Sequence, residues 1–265
     1  KIANQGEIAQ VRAETLEKLR TKTFRAFPEN PPGLEVQREF EYCMDSSEGY
    51  RFAYTSEEGW RLHANLFLTT NAPQPAPTVL VLRSPQEGRR DSERFVSGLP
   101  SQVAKVVAEL RGIGDTAWGQ ELQWHIRRAA AWTGRTIASM RVWDTLRALE
   151  AVRTLPEVDS SAISIAARGE MAVIALYAAL LDGNIRTLYL HHPPPTQDTP
   201  SQPDGSGEAI EMLACLKMTD LPHVAGLLCP TEIVLVGAPP DTYLWAETLY
   251  RTLGVPEKFR RVEHL

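Results

Sequence analysis

The stretch "ISIAARGEMAVIALYAALLD", Ile163 to Asp182, decides the fold. Its first part, with Ala162 reading "AISIAA", is a short continuous apolar run, the pattern of a strand covered on both faces. Its last part, "EMAVIALYAALLD", is rich in Ala and Leu and holds the greasiest segment of the chain, Met171 to Leu181, as a buried helix requires. Between them only a tight turn fits, and Gly169 stands at its tip, where a residue without Cβ takes an unusual backbone at no steric cost.

Outward from this unit the same alternation repeats. "TVLVL", "VAKVVAEL", "IRTLYLH" and "TEIVLVG" read as strands, and "KFRRVEHL" as a last short one. "ASMRVWDTLRALEAVRTL" reads as an amphipathic helix with Val142, Leu146, Leu149 and Val152 inward, and "YLWAETLYRTLG" as a further helix. Between "RGIG" and that first helix, "DTAWGQELQWHIRRAAAWTGRT" reads as a long connection. The N-terminal part differs. "LEVQREFEYCM" alternates as a strand, and "GYRFAYTSEEGWRLHANLFL" reads as a hairpin around "SEEG". Glu7 to Phe27 reads as a helix with Ile8, Val11, Leu16, Leu19 and Phe24 on one face, stopped by "PENPPG". "TTNAPQPAP" and "PPPTQDTPSQPDGSG" are surface loops. Antiparallel strands followed by alternating strands and helices predict a three-layer α/β/α sandwich with a mostly parallel central sheet and an N-terminal antiparallel hairpin. The expected division is an N-terminal helix and linker over residues 1–32 and one domain over 33–265.

Bulk properties narrow the function. The 265 residues are 43% hydrophobic and carry a net charge of -5, which supports a sizeable core and points away from nucleic acid. No apolar run approaches the roughly 18 residues of a membrane span. Cys43, Cys215 and Cys229 lack metal-site spacing and read as buried or free thiols. "KIANQGEIAQVRAETLEKLR" opens without an initiator Met or a signal-like segment and has the character of mid-protein sequence, so the expectation is a piece of a longer polypeptide.

Three segments together resemble the α/β-hydrolases, and within them the acetyl-xylan-esterase-like and dienelactone-hydrolase-like members. They are "ELRGIGDT", the run from "RRAAAWTGRT" to "YAALLD", and "LKMTDLPHVAGLLCPTEIVLVGAPPDTYLWAETLY". The likeness extends from about Glu48 over most of the chain. In that family the turn after the central strand carries G-x-S-x-G, with a serine projecting above the sheet beside a helix N-terminus that stabilises an oxyanion. Here the turn reads Ala167-Arg168-Gly169-Glu170-Met171, so Gly169 occupies a vacant nucleophile position. The resemblance places an acid at Asp241, after the strand "TEIVLVG", and a base at His264, after the last strand. As plain structure, Asp241 would cap a turn and His264 would belong to a frayed end.

Other residues near the expected crevice are Arg168, Glu170 and Ser84, which could form a pocket for an anion or a sugar hydroxyl; a salt bridge in a filled crevice is the plainer reading of Arg168 and Glu170. "LRSPQEG" stands where relatives donate an oxyanion N–H but reads as a plain connection. Arg111 and Asp115 read as braces of their turn, and Trp118, Trp124, Trp132 and Trp143 as core anchors. His191 and His192 lack an acidic or Cys partner at ligand spacing, so no metal is expected, and no cofactor.

These readings predict a degenerate, non-catalytic domain of a carbohydrate-esterase-like bacterial protein, a pseudoenzyme beside a catalytic hydrolase domain or second subunit. An active carboxylic-ester hydrolase with a non-standard nucleophile (Ser84, Ser139, Thr116, or water activated by Glu170) is the alternative, and a carbohydrate-binding module the third. A secreted or periplasmic place is favoured over the cytoplasm.

Overall fold

A computed structural model describes residues 2, 4–44, 47–69, 72–199, 202 and 205–265. Parts of both proline-rich loops (Thr70 and Asn71; Pro200, Ser201, Pro203 and Asp204) lie outside the described residues. Among the described residues, nine strands form one sheet in the order β1-β2-β3-β5-β4-β6-β7-β8-β9. Strands β1 (Gln37–Met44), β2 (Ser47–Glu57) and β3 (Trp60–Thr69) form an antiparallel meander, and β3 pairs antiparallel with β5 (Ala104–Glu109). From β5 onward the sheet is parallel, through β4 (Ala76–Leu82), β6 (Val158–Arg168), β7 (Thr187–His191), β8 (Glu232–Val236) and β9 (Phe259–Val262). The hairpin turn falls on Glu58 and Gly59, and Gly59 takes φ 75, a backbone that glycine adopts without steric cost. The mostly parallel sheet expected from the strand pattern is therefore present, with its antiparallel start, and it agrees with the architecture that the resemblance to α/β-hydrolases implies.

Side-chain alternation along the parallel strands sorts the core. Leu80, Leu82, Val106, Ala108, Ile165 and Ala167 point to one face and join the main cluster. There they meet α4 (Ile137–Arg153), α5 (Glu170–Asp182), α6 (Leu221–Leu227) and α7 (Leu244–Thr252). Val79, Val81, Val107 and Ala166 point the other way, under Phe95 of α2 (Arg89–Ser97) and Leu99. This second outer layer is thinner. Over β7 to β9 it is continued by a polar ladder in which Glu232 accepts from Thr187 Oγ1 (3.0 Å) and from Arg260 (2.8 Å). The helix α1 (Gln5–Lys18) and the turn after it send Ile8, Leu19 and Phe24 into the main core. Val11, expected on the same face, is exposed.

Two expectations change. The residues read as a long connection after Gly114 contain a helix, α3 (Gln120–Trp132). It buries few side chains: Leu122 is 54% and Trp132 87% exposed, so the core-anchor reading fails at Trp132. Trp143 does hold to it, donating from Nε1 to Ser56 O at 3.1 Å, while Trp118 donates to Gln123 Oε1 at 2.5 Å. Second, α4 is not amphipathic. Arg141, Asp144 and Arg147 on its polar side are as buried as Val142, Leu149 and Val152, while Leu146 is only partly buried. A capping box between Thr136 and Ser139 starts this helix, which consumes the Ser139 hydroxyl.

The polar side of α4 is buried because ion pairs meet it there. Arg111, just past β5, donates Nε and Nη2 to the two oxygens of Asp144 at 2.7 and 2.5 Å. Its backbone N–H adds a third bond to Asp144 at 3.1 Å, and Nη2 also reaches Glu57 at 2.7 Å. Arg135 holds the other oxygen of Glu57 at 2.7 Å, and Ser56 donates to Asp144 at 2.6 Å. Burial opposes the charge on Arg111, but Asp144 and Glu57 outweigh it and raise its pKa further. The bracing role read for Arg111 is visible in these bonds. Asp115 is exposed and ties Arg51 and His63 on the neighbouring strands. Cys43, Cys215 and Cys229 are free thiols, Cys43 exposed and the other two buried.

Candidate active-site crevice

The strand order doubles back at β4. After β4 the chain crosses to β5 on one side, and after β5 it returns to β6 on the other. At such a switch point the loops leaving neighbouring strands diverge and open a crevice at their C-terminal ends. Here the crevice has a volume of about 310 Å³ and is lined by Ser84, Gln86, Glu87, Asp91, Arg168, Gly169, Glu170 and Glu208. Four of the predicted site residues, Ser84, Arg168, Gly169 and Glu170, are thus brought together.

Gly169 closes β6 and opens α5 with φ 50 and ψ -126. Its N–H donates to His191 O at 3.0 Å, which ties the turn to the end of β7, and its carbonyl accepts from Ala172 N at 3.0 Å. A Cβ at this position would meet nothing closer than Glu208 Oε1 at 3.6 Å. Crowding therefore does not require glycine; the positive φ favours it. The backbone of a sharp strand-to-helix turn is retained, and no side chain projects from its tip.

Arg168 and Glu170 do not pair with each other. Arg168 lies over the Phe95 ring at 4.8 Å and donates from Nε and Nη2 to Glu87 Oε1 at 2.7 and 2.6 Å. Glu170 is buried, with Oε1 3.4 Å from Arg141 Nη1 and Oε2 accepting from Ala209 N–H at 2.9 Å. As a first-turn carboxylate it also answers the positive end of α5. Burial pulls the Arg141 guanidinium down from its ordinary value, although Glu170 acts the other way. The backbone around Ala209 is gripped from α3 as well: Arg127 donates to the carbonyls of Gly205 at 2.9 Å and Ser206 at 3.2 Å, and holds the Glu211 carboxylate at 2.7 Å. These anchors keep Glu208 above Gly169. Glu208 is exposed as a residue, but partial shielding of its carboxyl, and then the charge of Glu170, push that carboxyl above its usual range.

Asp241 opens a short 3-10 turn after β8 and is exposed; His264 is exposed two residues beyond β9. Neither lines the crevice, and among the described residues neither has a side-chain partner. Of the other hydroxyls considered, Thr116 is used inside its turn, accepting from Gly112 N–H at 3.1 Å. His191 and His192 lie at the end of β7. The His191 ring stands edge-on to Phe95 at 4.7 Å, with Nε2 buried and unbonded. Burial, then His192 and Arg168, lower its pKa to about 4. Among the described residues no cluster of His, Cys, Asp or Glu is arranged for a metal ion, and no helix is long and apolar enough to cross a membrane.

Sequence reasoning passed over Glu87, Asp91 and Glu208. "LRSPQEG", read as a plain connection, is a wall of the crevice through Ser84, Gln86 and Glu87. Its place after β4 was a signal; nothing in the sequence around Glu208 pointed to it.

The sequence profile of the acetyl xylan esterase family (AXE1) matches residues 17–194. No curated protein matches significantly. Among solved structures, a Bacteroides fragilis protein described as a candidate acetyl xylan esterase superposes with TM-score 0.78 at 11% identity, over 98% of this chain and 76% of that one. The methylesterase BT1017 gives TM-score 0.75 at 13% identity, over 98% of this chain and 60% of that one, so this chain spans about three fifths of its length. An acetyl xylan esterase from Paenibacillus sp. R4 gives TM-score 0.60 at 16% identity, over 99% of this chain and 89% of that one. At these identities the superpositions speak to the fold.

Proposed function

The chain belongs to the acetyl xylan esterase family, and from that premise we propose that this domain keeps the esterase architecture without seryl acyl transfer, acting as a non-catalytic, cleft-shaping unit beside a catalytic hydrolase domain or second subunit. One observation carries the reading. The turn that should present a nucleophile is folded, with φ 50 and ψ -126, and ends in a bare α-carbon. Ser84 is the one alcohol among the described lining residues, and no imidazole lines the crevice to activate it. Loss of a triad serine removes on the order of a millionfold in turnover.

The test is incubation with p-nitrophenyl acetate and with a fluorophosphonate probe. Neither turnover above buffer nor labelling is expected; turnover with labelling of a single residue overturns the proposal. Gly169→Ser is expected to restore no esterase activity, because Asp241 and His264 stand outside the crevice. Rescue would show that an acid and a base do reach the turn.

A second reading, ester hydrolysis by activated water, rests on Glu208, whose carboxylate hangs 3.6 Å from the missing Cβ with a raised pKa. It predicts turnover without fluorophosphonate labelling, abolished by Glu208→Gln.

A further inference from the structure

The crevice over Gly169 has more acceptors than donors. Among its described lining residues, Glu87, Asp91, Glu170 and Glu208 bring four carboxylates against the single guanidinium of Arg168. Two of these are already answered: Arg168 takes Glu87 Oε1, and Arg141 with Ala209 N–H takes Glu170. What remains is specific. The Glu87 side chain is only 8% exposed, and its Oε2 is buried without any donor. A carboxylate oxygen removed from water and left unbonded is costly, and native proteins keep such an atom where a ligand or water completes it. Glu208 is exposed at the mouth of the crevice; its carboxylate stands over the bare Gly169 with no protein donor among the described residues, and its neighbour Glu170 makes its charge harder to hold.

We propose that this crevice binds a small hydroxylated organic cation, whose primary ammonium answers the open acceptors of Glu87 and Glu208. An ammonium brings three donors and a positive charge, which fits a site short of both. Hydroxyls on the same ligand can use Ser84 and the Gln86 amide on the β4 side. The vacancy at Gly169 supplies the room, because a side chain there would share the space below Glu208. An anion meets the excess of carboxylates over cations in this lining and is disfavoured. The inference deepens the non-catalytic reading by giving the emptied crevice a ligand class.

The test uses four sugars of one ring size that differ in charge: glucosamine, glucose, N-acetylglucosamine and glucuronate, titrated calorimetrically into the intact chain at neutral pH and low salt. Glucosamine is expected to bind about tenfold or more tightly than glucose or N-acetylglucosamine, with glucuronate silent. Glu208→Gln, which breaks no protein contact, is expected to weaken glucosamine about fivefold and leave glucose unchanged. Glu87→Gln should do the same, with circular dichroism checking that Arg168, deprived of its partner, has not disturbed the fold. Equal binding of glucose and glucosamine, no heat with glucosamine, or full affinity in Glu208→Gln overturns the inference. Its failure is separable from failure of the function above. Missing glucosamine binding in a protein that resists fluorophosphonate sinks only this proposal, and labelling of a glucosamine-binding protein sinks only the other.

Discussion

Two turns flank β4, one leaving β5 at Arg111 and one leaving β6 at Gly169, and they treat buried charge in opposite ways. At the first, both oxygens of Asp144 and both of Glu57 are taken by Arg111, Arg135 and Ser56. At the second, Glu87 Oε2 and His191 Nε2 are buried and unbonded, and Glu208, exposed at the crevice mouth, meets no protein donor among the described residues. The same sheet edge therefore holds one closed network and one open one. Buried ions that complete each other hold the fold together; buried acceptors left open cost stability and mark where something else binds. Depth alone does not separate the two, since Glu170 at the open turn is nearly as buried as Arg111 at the closed one. The difference lies in whether partners come from the chain itself.

The largest test of this contrast is at Asp144. Replacing it with Ala strands Arg111 in the interior with only Glu57 opposite. The expected cost is about 3–5 kcal/mol, or a fall in Tm of roughly 10 °C for a domain of this size, read by calorimetry. Glu208→Gln at the open turn should change stability by no more than about 0.5 kcal/mol. Comparable losses at both positions would erase the distinction between them.

A smaller effect separates backbone from side chain at the elbow. Gly169→Ala places a Cβ in open space, 3.6 Å from Glu208 Oε1, so only the left-handed backbone resists it. About 1–2 kcal/mol of destabilisation is expected, measured by urea unfolding. A much larger loss would mean that the turn is packed shut and the crevice is not a free space.

How much of this was legible beforehand follows the same division. Strand and helix periodicity located all nine strands, because alternation and short apolar runs report burial directly. The resemblance placed Gly169 at the tip of the turn, and the structure puts it there. Where polar residues decide, the pattern misled. Arg141, Asp144 and Arg147 looked like the wet side of a helix, since sequence does not reveal that Arg111, itself held by Glu57 from the end of β2, arrives to pair with Asp144 on that side. Helix α3 escaped for the opposite reason: with Leu122 and Trp132 facing outward, its apolar residues mark no core. Glu208 reaches the crevice only because Arg127 and Glu170 grip the backbone on either side of it, a tertiary fact without a local signature. Asp241 and His264 follow the strands where the resemblance places an acid and a base, yet strand order alone does not bring side chains to the elbow.

The smallest expected effect concerns His191 and carries a definite sign. Burial, with His192 and Arg168 adding like charge, holds its folded-state pKa at about 4, below the ordinary 6.5. The unfolded chain therefore binds a proton between these values that the folded chain refuses. Stability from this group is fully present above about pH 6.5 and is lost as pH falls toward 4. Because water reaches part of the ring, the net loss should be about 1 kcal/mol rather than the full linkage value. His191→Phe keeps an aromatic edge against Phe95 and has nothing to protonate, so its denaturation midpoint should vary less between pH 6.5 and 4 than that of the native chain. The groups beside it, Arg168, His192 and Glu87 across Arg168, are unchanged in the variant, so the difference between the two curves isolates the ring. If the curves run parallel, His191 has found a partner for Nε2 in solution, and the open turn is less open than its geometry implies.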